Sequence, residues 1–313
     1  MIVEKQSAHR RIRNTNRLFL GSLCFVTAVS LSLGFGGVSM SMEMNLILTQ
    51  LLFWIPIILY LLLTRTNPFR LIPFHRISLS TVCMIILFTL LLIPVVTWVN
   101  MISMLFVDNT VVEIDQQLQP NSLLVNVLLM ALMPAVSEEL MVRGIYFQQY
   151  KVSGIFKGAV LSGIAFGMMH MNFNQFSYAL VIGVIFALLV EATGSIFASM
   201  TAHFVFNGYN VVLTYILQDE VLEMTQETAV QEVMQTDLIQ MLFGYTTVAF
   251  ITGILAFSVY LWIVQHCGRG EHMKQIFCTN RSYEGEKIKV ITPTLVLGII
   301  VGVGIMIFME WIA

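Results

Sequence analysis

A small set of polar side chains in the middle of the chain has the residue types needed for acid–base chemistry. These residues stand within long apolar stretches, where an ionisable group costs roughly 2.5–3.5 kcal/mol if the stretch crosses a membrane. A cost of this size calls for a structural or functional reason. The set comprises Glu138, Glu139, Arg143, His170, Glu191, His203 and Asn207.

Glu138 and Glu139 form the densest part of this set, together with Arg143. Glu139 and Arg143 are four residues apart, so on a helix they share a face and can pair. The pair leaves Glu138 as the odd carboxylate, and a carboxylate in an apolar setting suits a general base near neutral pH. Pro134 lies four residues earlier and can bend the helix there. The alternative is that a Glu–Arg pair merely holds helices together.

The two histidines each have a companion four residues away. Phe166 precedes His170, and His203 precedes Asn207, so each pair shares one face of a helix. Taken alone, His170 has the features of an interfacial or hydrogen-bonded residue. His203 and Asn207 alone are equally compatible with hydrogen bonds that hold two membrane helices together.

Two kinds of chemistry are open to this set. In the first, Glu138 takes a proton from water while His203, Asn207 or both donate hydrogen bonds to a developing oxyanion. In the second, Glu138, His170 and His203 hold zinc, since two histidines and a glutamate form a common catalytic zinc set. The motifs H-E-x-x-H and G-x-S-x-G are both absent from the sequence. The sequence therefore leaves the cofactor open between zinc and none.

The composition predicts that membrane helices position these residues. Hydrophobic residues make up 57% of the chain and charged residues only 11%, whereas soluble domains have about 25% charged residues. A spanning helix needs roughly 20 apolar residues. Nine stretches qualify, which predicts an all-α bundle of eight to nine spans. They lie near residues 18–41, 44–64, 77–107, 122–150, 155–176, 177–194, 195–217, 238–265 and 291–311.

The basic residues separate the two ends of this bundle. All but one of the 16 fall into four segments, at 5–17, 65–76, 151–157 and 269–289. Nine alternating spans place these segments on one side, while the opposite loops carry only acids. By the positive-inside rule, the amino terminus is cytoplasmic and the carboxyl terminus outside. The apolar length of residues 1–41 argues against a cleaved signal peptide, and the net charge of −2 gives no reason to expect a nucleic-acid partner.

The charge markers also place the polar residues at one depth. Each lies twelve or thirteen residues from a residue at the cytoplasmic end, which at 1.5 Å per residue is roughly 18–20 Å. Three helices therefore bring polar groups to one level of the membrane. The pairs compared are Glu138 with Lys151, His170 with Lys157, and His203 with Glu191.

Three motifs on successive helices resemble a known family. They are E-E-x-x-x-R at 138–143, F-x-x-x-H at 166–170 and H-x-x-x-N at 203–207. In this order they resemble the CPBP intramembrane proteases, which include the type II CAAX prenyl endopeptidases and the bacterial Abi proteins. The resemblance covers roughly residues 122–215.

The resemblance implies roles for the individual residues. Glu138 would activate water, His170 would help to position it, and His203 and Asn207 would stabilise the oxyanion. The supporting residues would be Glu139, Arg143 and Phe166. The family is commonly labelled as metalloproteases, although a glutamate mechanism without metal is also proposed for it. Nothing in the chain implies a prenylated substrate.

These observations predict three regions and one function. Residues 1–121 form a membrane region with three spans, 122–217 the catalytic core, and 218–313 an acidic outer loop, two spans and a basic cytoplasmic loop. The expected function is intramembrane hydrolysis of a peptide or membrane-associated protein, with the lipid bilayer of a bacterial cell membrane as surroundings. The alternative is a non-catalytic membrane protein, such as an immunity or scaffold component or an ion-coupled transporter.

Overall fold

Helices form at all nine apolar stretches in the computed structural model of the protein. The structure describes residues 2–107, 121–217, 231–278 and 288–312, and no strand occurs among them. We number the nine long helices in chain order. They are α1 (Ile2–Phe35), α2 (Met42–Thr64), α3 (Leu79–Ser103), α4 (Leu123–Ser153), α5 (Ile155–Met169), α6 (Phe173–Thr193), α7 (Ile196–Ile216), α8 (Gln231–His266) and α9 (Pro293–Ile312).

Seven of these helices are long and apolar enough to cross a membrane. The exceptions are α5 and α7. Helix α5 has 15 residues, which span about 22 Å, less than the roughly 30 Å of a hydrocarbon core. Helix α7 has sufficient length, but His203, Asn207 and Asn210 make it more polar. The helical fold class is therefore confirmed, whereas a count of eight or nine full spans stays a prediction.

Helix α4 departs from regular α-helical geometry on both sides of the two glutamates. A π-helical segment, Val127–Leu132, comes before Pro134, and a second, Leu140–Tyr146, begins directly after Glu139. Proline lacks the N–H that a helix would use, and irregular turns of this kind often occur at functional sites. The bend expected near Pro134 thus takes the form of widened turns, which change which backbone groups are paired.

Helices α5 and α6 make the closest contact in the core. A Cβ atom built on Gly183 would lie 2.6 Å from the Cα atom of Gly163, and one on Gly167 would lie 2.8 Å from the ring of Phe176. Such distances are too short for a real Cβ atom, so only glycine allows the two backbones to approach in this way. The contact fixes the end of α5, where His170 follows the last helical residue.

Helix α1 is attached to the core by polar contacts near its amino-terminal end. Tyr150 on α4 donates a hydrogen bond to Asn16 (2.8 Å), and Arg11 donates to the side chain of Gln149 (2.6 Å). The amide of Asn16 also donates to the carbonyl of Val290, just before α9. These bonds connect α1, α4 and α9 on the side of the bundle away from α3 and α8, which pack on each other.

Candidate active site

A cavity of about 490 Å³ lies between α2 and the helices from α3 to α7. Its lining comes from the first half of α2, the second half of α3 and the last residues of α5. These parts lie at the end of the bundle where α1 ends and α2 begins. We call it the acidic end, because Glu43 and Glu310 lie there and the basic segments lie at the other end. Of the sequence-predicted residues, the cavity is lined by Glu138, Phe166, His170, His203 and Asn207.

Glu139 and Arg143 lie behind the cavity wall and are fully buried. Arg143 Nη1 donates to Glu139 Oε1 at 2.7 Å, so the pair expected from the spacing of four residues is present. The guanidinium also lies over the ring of Phe166, 4.5 Å from its centroid, a favourable cation–π position. Phe166 therefore joins the buried ion pair to the cavity wall.

The same carboxylate also binds His203. His203 Nδ1 is 2.8 Å from Glu139 Oε1. A carboxylate oxygen accepts hydrogen bonds, so Nδ1 carries the proton and Nε2 points the other way. Nε2 lies 3.9 Å from Glu138 Oε2. Glu139 thus fixes the ring orientation of His203, a role that its spacing from Arg143 did not reveal.

His170 follows α5 and presents its ring to the cavity. Its Nδ1 lies 2.9 Å from the carbonyl oxygen of Phe166. Because a carbonyl can only accept, Nδ1 is the protonated nitrogen and Nε2 of the neutral ring is an acceptor. The ring stands edge-to-face on Phe166, with centroids 4.9 Å apart. His170 is therefore able to accept a hydrogen bond from a water molecule in the cavity.

Gln50 on α2 is a residue of the site that the sequence analysis did not single out. Its Nε2 donates to Glu138 Oε1 at 2.6 Å, and the Ser137 hydroxyl contacts its Oε1. Gln50 therefore orients one oxygen of the half-buried Glu138 carboxylate and leaves Oε2 on the side of His203. In the sequence, Gln50 is an amide in an apolar stretch, 88 residues before Glu138. Such an amide by itself gives little indication of a role in the site.

The side-chain amide of Asn207 takes the place of a backbone N–H that α4 lacks at Pro134. Its Nδ2 donates to the carbonyl oxygen of Met130 at 2.9 Å. Met130 is four residues before Pro134, so this carbonyl would accept the N–H of residue 134 in a regular helix, and proline has none. One of the two amide hydrogens of Asn207 is thus engaged with the backbone. The second remains for the oxyanion role that the family resemblance implies.

The residues considered for zinc do not form a metal site. The donor atoms alone would allow a metal, because Nε2 of each histidine and Oε2 of Glu138 are left unused, and a histidine that binds metal commonly donates its other N–H to a carboxylate or a carbonyl. Within the ranges that the structure describes, no three His, Cys, Asp or Glu side chains lie close enough to hold an ion. Glu138, His170 and His203 therefore do not fit zinc in this arrangement, and no step of the mechanism below uses a metal.

Glu191, the remaining buried acid of the set, lies outside the site. It is at the basic end of α6, where Lys151 Nζ is 2.8 Å from Oε1 and His272 Nε2 is 2.6 Å from Oε2. The backbone carbonyl of Glu191 accepts from Arg269 Nε at 3.0 Å. Glu191 thus joins the segment after α8 to the core, as a structural residue.

Comparison with protein families gives one match. Residues 120–209 match the model of the type II CAAX prenyl endopeptidases, Rce1-like. This segment includes α4, α5 and α6, and α7 as far as Tyr209, so it contains the three motifs but not Gln50. No curated protein and no solved structure matches the chain significantly. Residues 120–209 are thus similar to the Rce1-like type II CAAX prenyl endopeptidases, which agrees with the resemblance of the three motifs.

Proposed function

We propose that this chain is an intramembrane endopeptidase in which Glu138 activates a water molecule. The observation that carries the proposal is that Glu138, His170 and His203 line one cavity. Each has one polar atom bound by another residue and a second polar atom directed to the space between the three side chains. The family match supports a protease of the CAAX type. The substrate is a peptide or a membrane-associated protein.

The reaction begins with the water molecule. Glu138 Oε2 takes a proton from it, while His170 Nε2 accepts its second hydrogen and fixes its position. The hydroxide forms a bond to the carbonyl carbon of the peptide. Gln50 holds the other oxygen of Glu138, so the carboxylate keeps its orientation during the transfer.

The negative charge that develops on the carbonyl oxygen is stabilised by hydrogen-bond donors. His203 supplies one through Nε2–H when both ring nitrogens carry a proton, with the ring held in place by the bond from Nδ1 to Glu139. Asn207 supplies the other through its second amide hydrogen. The proton on Glu138 then passes to the amine nitrogen as the C–N bond breaks, and both products leave with the carboxylate regenerated.

The proposal is tested by comparing the peptides that the protein releases with those released by its Glu138→Gln form. Both are reconstituted in lipid vesicles, given the same peptide mixture and analysed by mass spectrometry. Products that depend on Glu138 support the endopeptidase. If the protein is a transporter or a scaffold that uses the same polar cluster, the two forms give identical peptide patterns. If it is a transporter, Glu138→Gln also abolishes its proton- or ion-coupled flux.

Gln50→Leu is expected to lower kcat by about tenfold or more. The substitution removes the hydrogen bond to Glu138 Oε1, a contact to a charged group worth about 1.5–3 kcal/mol, and with it the orientation of the carboxylate. The measurement is single-turnover hydrolysis of a Glu138-dependent peptide. Thr49→Val is the matched control, because the Thr49 hydroxyl donates to the carbonyl of Asn45 within α2. An unchanged kcat in Gln50→Leu would leave Gln50 only a packing role.

Peptidase activity is expected to persist in a strong chelator, because no three His, Cys, Asp or Glu side chains in the described ranges lie close enough together to hold an ion. Metal content of the purified protein and its activity are measured on the same sample before and after treatment. Zinc at one equivalent, lost in parallel with activity and restored by adding zinc, would contradict the metal-free mechanism.

A further inference from the structure

A turn of three residues, 170–172, connects α5 to α6 beside the cavity. The backbone N–H of His170 donates to the carbonyl of Gly167, three residues back, at 3.2 Å. A bond of this spacing tightens the last turn of a helix. It draws the N–H of His170 away from the carbonyl of Phe166, which accepts from His170 Nδ1 instead. The orientation of the His170 ring therefore depends on the shape of this turn.

Met171, in the middle of the turn, has a backbone conformation that side-chain-bearing residues rarely adopt. Its φ is 58°, in the left-handed region, where the Cβ atom comes too close to the following carbonyl oxygen. Backbone strain of this kind persists only where the surrounding contacts hold it in place. The turn therefore needs contacts that stabilise it.

The side chain of Asn172 makes three hydrogen bonds across the turn. Its Oδ1 accepts from the backbone N–H of Gln175 at 2.7 Å and so caps the start of α6. Its amide donates to the carbonyl of His170 at 3.2 Å and to Oε1 of Gln175 at 2.6 Å. The oxygen of this side chain thus holds α6, while the amide holds the backbone of His170.

Asn172 binds two residues of the cavity wall without belonging to the wall itself. Among the described residues that line the cavity, His170 and Gln175 are present and Asn172 is not. The carbonyl of His170 follows the last helical residue of α5, where carbonyl groups lack partners within the helix. The Asn172 amide supplies the partner, so it can influence the reaction only through the residues that it holds.

Resting on the proposed endopeptidase function, we propose that Asn172 is a positioning residue that holds His170 in the orientation in which it fixes the attacking water. The Asn172 amide keeps the backbone of the turn in place, and the turn sets the bond between His170 Nδ1 and Phe166. His170 Nε2 then stays directed to the cavity. Without the amide, α6 keeps its cap, but Met171 can relax to a less strained conformation and the ring of His170 is no longer held in one orientation.

The experiment separates the two halves of the Asn172 side chain. Asn172→Ser and Asn172→Asp both keep an oxygen suited to cap α6, and both remove the amide. In the full chain in lipid vesicles, each is expected to slow single-turnover hydrolysis of a Glu138-dependent peptide by about tenfold or more, because a small misplacement at a reacting centre has a large effect on rate. KM and the midpoint of thermal unfolding are expected to stay unchanged.

Asn67→Asp is the matched control for the added charge. Asn67 lies between α2 and α3, where its Oδ1 accepts from the backbone N–H of Phe69 at 2.9 Å in the same kind of cap. Its substitution is expected to leave the rate within about twofold of the wild type. Because serine is neutral and aspartate is charged, equal losses in the two Asn172 variants exclude a purely electrostatic cause.

A double-mutant cycle tests whether Asn172 acts through His170. The loss caused by Asn172→Ser is measured in the wild type and in a His170→Ala background. A positioning residue for His170 loses its effect when that ring is absent, so the loss of about tenfold is expected to fall below about twofold. A residue with only a structural role would cause the same loss in both backgrounds.

The outcomes separate this inference from the proposed function. Unchanged hydrolysis in Asn172→Ser, equal losses in the two backgrounds, or a loss that accompanies a lower unfolding midpoint overturns the inference and leaves the endopeptidase in place. If His170→Ala is too slow to measure, the rates and unfolding midpoints of the two Asn172 variants decide alone. Absence of Glu138-dependent hydrolysis by the wild type removes the endopeptidase function, and the inference with it.

Discussion

Glu138→Gln is expected to abolish peptide hydrolysis, with a loss of about 10³-fold or more in kcat and little change in protein abundance. A general base contributes about 10²–10⁴-fold, and glutamine cannot take a proton from water. It has nearly the same shape, so the contact with Gln50 can be kept. Single-turnover hydrolysis of a Glu138-dependent peptide is the appropriate measurement, because it separates the chemical step from product release.

Glu43→Gln serves as the matched control for this loss. Glu43 is also on the acidic side and accepts a hydrogen bond from Asn121 at 2.8 Å, but it is not part of the cavity wall. Its substitution is expected to preserve activity within about twofold, as is usual for surface positions with small energetic effects. Substantial activity in Glu138→Gln would remove Glu138 from the role of base.

Arg143→Met is expected to lower the free energy of unfolding by about 3–5 kcal/mol. Removing one member of a buried ion pair leaves the other charge uncompensated, and this is the usual size of the penalty. Glu139 is fully buried and would lose the charge of Arg143 while keeping the hydrogen bond from His203 Nδ1. Thermal or denaturant unfolding in detergent micelles measures the effect.

The double variant Glu139→Gln with Arg143→Met separates stability from catalysis. With both charges removed, much of the lost stability is expected to return, because replacing a buried pair with neutral groups is often close to energetically neutral. Activity is not expected to return, since His203 loses the carboxylate that binds Nδ1 and fixes the orientation of its ring. Recovery of full activity together with stability would show that Glu139 and Arg143 act only in folding.

The sequence was sufficient to predict the helices and the common depth at which three of the site residues lie. Hydropathy marked all nine helices, and the spacing of Glu139 and Arg143 predicted their ion pair. Counting residues from Lys151, Lys157 and Glu191 brought Glu138, His170 and His203 to one depth, and the structure places all three in one cavity. These features depend on position along a helix, which the sequence shows directly. The catalytic roles of the three residues stay predictions.

The partners of the side chains were not predictable in the same way. Glu139 binds His203, Asn207 binds the Met130 carbonyl, and Gln50 reaches Glu138 from α2. Each contact depends on how one helix is rotated about its axis relative to another, and hydropathy does not contain that rotation. The π-helical segments of α4 also change the direction in which the side chains after them point around the helix axis. A regular period of 3.6 residues per turn cannot predict this change.

The bond between Gln50 and Glu138 has a consequence for how this site can vary among related proteins. Glu138 lies in the segment that matches the family model, but the amide that orients its carboxylate lies on a helix outside that segment. A change at one position of α2 can therefore alter how this carboxylate is held while every motif residue stays the same. Two chains with identical motifs can differ in the orientation of the carboxylate, and motif comparison alone would not distinguish them.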